Sequence, residues 1–111
     1  MLDPTAKYFL VLLALCEPRL RDPADPATPS IAEMVDRLKP LPTCRELTVA
    51  AVNFHIDYLA TTKLRIRERA GAEDRPRIDW KREALLSPAL RFDLVREEHL
   101  ELLPSRRGAG V

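Results

Sequence analysis

The chain predicts a mainly α domain that carries one small β-hairpin. Hydrophobic residues make up 46% and charged residues 32% of its 111 positions, a balance that folds around a single core. Ten prolines stand against three glycines, which favours helices joined by stiff loops over a strand-rich fold that draws on glycine for its turns. Apolar residues recur at helical spacing through most of the chain and alternate with a period of two only around residues 64–80. The domain covers residues 1–104, and residues 105–111 form a loose tail.

The first helix is expected from about Pro4 to about Cys16. Asp3 can cap it and Pro4 suits its first position. Its run Tyr8 to Cys16 reads YFLVLLALC, which is apolar nearly all round and fits a buried central helix. An export signal is the competing reading of that run. The flanking Asp3 and Lys7 cancel, and Leu15 stands where a small residue would precede the cysteine, so the buried helix is preferred. Pro18 is expected to end the helix, and the proline-rich residues 17–29 to form an exposed loop.

Ser30 and Glu33 form an S-x-x-E capping box. Behind it, Ile31, Met34, Val35 and Leu38 share one face of a short amphipathic helix that Pro40 ends. A connector runs through about Leu47. Thr48 then caps a longer helix that reaches about Lys63, with Val49, Val52, Ile56, Leu59 and Ala60 inward. Its opposite side shows Ala50, Asn53, Phe54, Asp57, Tyr58 and Thr61, and the two rings there suggest contact with a partner.

Leu64 and Ile66, then Ile78 and Trp80, alternate with arginines on either side of a segment containing Gly71. That pattern reads as a hairpin over residues 64–80 with Pro76 on an edge strand; a continuation of the long helix is the other reading. From Lys81, the residues Ala84, Leu85, Leu86, Ala89, Leu90 and Phe92 outline a helix that Pro88 kinks or splits. A last short helix over residues 94–103 turns Leu94, Val95, Leu100 and Leu103 inward, and Pro104 stops it.

Net charge is +1, and its distribution is uneven: residues 1–36 carry −3 and residues 37–69 carry +4. Cys16 and Cys44 match no zinc spacing and read as small buried hydrophobes of a reducing compartment, the cytoplasm. The apolar run of the first helix is far below the roughly 20 residues needed to span a bilayer, so no membrane partner is expected. There is no G-x-S-x-G, no H-E-x-x-H and no glycine-rich phosphate loop, so the chain reads as non-catalytic and without cofactor.

A buried helix, a short capped helix, a connector, a longer helix and a basic hairpin follow the plan of a winged helix-turn-helix with extra C-terminal helices. Two resemblances rest on particular residues. Ala51-Val52-Asn53-Phe54-His55-Ile56, Tyr58-Leu59 and Lys63-Leu64-Arg65-Ile66 resemble the recognition helix of LuxR-type regulators. Leu2-Asp3-Pro4-Thr5 through Leu15-Cys16-Glu17-Pro18, with Ile31-Ala32-Glu33, is similar to winged-helix domains of bacterial forkhead-associated proteins.

The first resemblance implies a transcription regulator bound to double-stranded DNA, with Asn53 and Phe54 on base edges, His55 near a phosphate and Lys63 at the helix end. Asp57 would then face the groove, where the family often carries a basic residue. Arg65, Arg67 and Arg69 would lie on a basic wing. The second resemblance implies instead a module that binds protein within a signalling complex, anchored by Phe54 and Tyr58. The oligomeric state is not specified by the sequence.

Overall fold

A computed structural model describes residues 5–63 and 77–104. The apolar run of the N-terminal segment becomes the axis of the fold. In α1 (Lys7–Arg21) every residue from Phe9 to Glu17 is buried. The helix is apolar all round because it has neighbours all round: α2 (Ile31–Leu38), α3 (Val49–Tyr58), α4 (Arg77–Arg91) and a 3₁₀ turn (Glu97–Leu102) all pack against it.

Pro18 does not end α1. The helix passes through it to Arg21, and the Asp22 N–H donates to the Pro18 carbonyl at 3.0 Å. An interior proline costs a helix roughly 3 kcal/mol. Packing offsets that cost: Leu20 sits against the core, and Glu17 on one side of the proline pairs with Arg21 on the other at 2.8 Å.

The capping box of α2 forms as expected. Ser30 Oγ accepts from the Glu33 N–H at 3.1 Å, and the Ser30 N–H donates to Glu33 Oε1 at 2.8 Å. Met34, Val35 and Leu38 are buried. The connector, residues 39–48, makes one 3₁₀ turn at Pro42–Cys44 and contributes Cys44 and Leu47 to the core. A helix-turn-helix joins its two helices through three or four residues. The longer, core-packed connector between α2 and α3 departs from that plan.

Thr48 caps α3 by accepting from the Ala51 N–H at 3.1 Å. Val52, Ile56, Leu59 and Ala60 are fully buried. Val49, read as inward, is half exposed, because it opens the helix before the first turn has reached the core. At Leu59–Lys63 the helix widens into a π-helical turn. The Leu59 N–H is shared between the carbonyls of His55 and Ile56, and the Thr61 hydroxyl donates to the Asp57 carbonyl at 2.7 Å.

The expected β-hairpin wing is not seen. No strand occurs among the described residues, and residues 77–80, read as its second strand, are the first turn of α4. The remainder of the hairpin lies outside the described residues. Two alternating apolar positions, Ile78 and Trp80, carry little weight beside the helical spacing of Leu85, Leu86 and Ala89 that follows. Once that segment is helical, extending it by one turn needs no new nucleation.

Pro88 does not split α4: the helix runs unbroken to Arg91. Its end is a left-handed cap at Asp93, with φ of 54°. The Leu94 N–H donates to the Ala89 carbonyl at 2.9 Å and the Asp93 N–H to the Leu90 carbonyl at 3.4 Å, which together make a Schellman motif. The chain turns at once, so Phe92, counted with the apolar residues that outline the helix, is 67% exposed. Val95 and Leu103 flank the final 3₁₀ turn and close the core against α1.

Candidate functional site

The rotation of α3 sorts its side chains into three strips. Val52, Ile56 and Leu59 face the core. Ala50, Phe54, Asp57 and Thr61 face outward, and all four are exposed. Ala51, His55 and Tyr58 lie between them, half buried.

The outward strip carries a row of rings. Phe54 is 67% exposed and stacks on Tyr58, one turn on, with centroids 6.4 Å apart and planes 9° from parallel. Tyr58 in turn meets Tyr8 of α1 at 5.8 Å with a 55° tilt. His55 approaches the edge of Phe54 at 5.8 Å. Tyr8, which the sequence places only within the apolar run, is therefore the α1 end of an aromatic row that begins on α3.

Two charges border the row. Lys7 stands at the start of α1, next to Tyr8. Burial, and then the Lys7 ammonium, lower the pKa of His55 from its usual 6.5, so the imidazole is neutral at pH 7. On the other side, the Asp57 carboxylate pairs with the ammonium of Lys81, which α4 delivers with its side chain only 4% exposed. Asp57 thus points along the surface toward α4, and its charge is matched within the fold.

The remaining residues expected at a groove are dispersed. Asn53 is half buried, and its Oδ1 is buried with no hydrogen-bond partner among the described residues. Lys63 closes the π-helical turn. The Lys63 side chain, together with Arg65, Arg67 and Arg69, lies outside the described residues. The structure therefore brings together Phe54, His55 and Tyr58, and adds Tyr8, Lys7 and Lys81 to them.

A concavity of about 420 Å3 opens between the C-terminal half of α1 and α2, lined by Pro18, Pro29, Met34 and the Glu17–Arg37 pair. Glu17 is buried. Its Oε1 accepts from Arg37 Nε at 2.8 Å and its Oε2 from Arg37 Nη2 at 2.9 Å and from Arg21 Nε at 2.8 Å. A carboxylate engaged by two guanidinium groups ties α2 to α1 and has little capacity left for a ligand. Beside it in α1, burial pushes the Cys16 thiol up to about 12, which leaves it without a nucleophilic thiolate. No group of three or more His, Cys, Asp or Glu side chains among the described residues could hold a metal ion. No helix among the described residues is long and apolar enough to cross a membrane.

No protein-family model, curated protein or solved structure matches the chain.

Proposed function

We propose that the chain is a non-catalytic protein-interaction module that binds its partner through the outward face of α3, with Phe54 and Tyr58 as anchors. The supporting observation is the Phe54 ring, 67% exposed yet held by stacking on Tyr58, which is itself backed by Tyr8. Aromatic side chains dominate interface energies because each covers a large area at small entropic cost. A ring already ordered by its neighbours loses little further freedom on binding.

The electrostatics of the same face favour protein over DNA. Binding to a duplex is driven by cations placed on phosphates. The described outward strip, Ala50, Phe54, Asp57 and Thr61, carries no cation, and Lys81 is committed to Asp57. The buried, free thiols of Cys16 and Cys44 are in keeping with a reducing cytoplasm.

Parallel selections test this function: a random peptide library and a random duplex DNA pool, each panned on the wild-type chain and on Phe54→Ala. Peptides enriched on the wild type and lost on Phe54→Ala are the expected result. An enriched duplex motif, with no peptide that depends on Phe54, would overturn it.

A further inference from the structure

We draw no further inference here: the strongest candidate, the cavity of about 420 Å3 between the C-terminal half of α1 and α2, carries nothing, because the buried polar side chain in its lining, Glu17, is already engaged by Arg37 and Arg21, and nothing among the described residues shows what would fill it.

Discussion

Asp57→Asn should destabilise the fold although Asp57 itself is 54% exposed. The reason lies in its partner. Lys81 reaches Asp57 from α4 with only 4% of its side chain exposed, so the substitution leaves an ammonium in the interior without a counter-charge. Breaking a wholly buried pair in this way costs about 3–5 kcal/mol. One end of this pair is open to solvent, where water screens and partly replaces the carboxylate, so the expected loss is about 2 kcal/mol. For a domain of this size that lowers Tm by roughly 10 °C.

Lys81→Met removes the buried charge together with its need for a partner and keeps most of the packed volume, so it should be close to neutral. The double variant Asp57→Asn/Lys81→Met should then recover most of what Asp57→Asn loses. Urea unfolding followed by circular dichroism at constant m measures all four members of the cycle. Asp57→Asn within about 0.5 kcal/mol of wild type, or a double variant no better than Asp57→Asn, would refute the reasoning.

Three further outcomes follow from individual contacts. Ile56→Ala should cost about 2–5 kcal/mol, because Ile56 is fully buried in the core beside α1, whereas Phe54→Ala, two residues away on the outward side of the helix, should cost about 1 kcal/mol or less, the worth of its ring contacts; chemical denaturation of both variants checks the pair. His55 holds its proton less tightly in the folded than in the unfolded chain, so the unfolded chain binds more protons as pH falls past 6.5; the stability linked to His55 is complete above 6.5, drains as pH falls through the lower folded value, and this slope should be absent from the unfolding profile of His55→Gln. Asp93→Gly should raise stability by about 0.5–1 kcal/mol, seen as a higher melting temperature, because Asp93 holds φ of 54° in the Schellman cap, a region glycine enters without steric cost.

The helices were legible where the signal is local. Ser30 and Glu33, and Thr48, are caps that act within three residues, and both form. The stripe Val52, Ile56 and Leu59 lies in the core because a helix with that spacing has one face to bury. What escaped the sequence depends on distant partners. Pro18 is a stop signal when read alone, and it is overruled by packing around Leu20 and by the Glu17–Arg21 pair that bridges it. That i, i+4 pair becomes visible only once the helix is continued past the proline. Arg37 lies 20 residues from Glu17, and no local pattern joins them. The alternation of Ile78 and Trp80 shows the opposite failure. A strand pattern two positions long was absorbed by the helix that follows it.

The candidate site turns on the same distinction. Phe54, Asp57 and Tyr58 are visible in the sequence as one side of a helix, and on that view Asp57 is a bare carboxylate aimed wherever the rings are aimed. Its counter-charge is 24 residues away, on a helix whose first turn was read as a strand. With Lys81 in place the charge on that side is matched, which leaves the Phe54 ring as the exposed feature of the face. Burying the roughly 130 Å2 that Phe54 leaves in water is a gross gain of about 3 kcal/mol, from which the costs of association are subtracted. A phosphate backbone gains nothing comparable from a phenyl ring, since its affinity grows with the number of cations it meets. An apolar side chain of a protein partner is the kind of group that can take up that gain, and the stacking on Tyr58 holds the ring in one position.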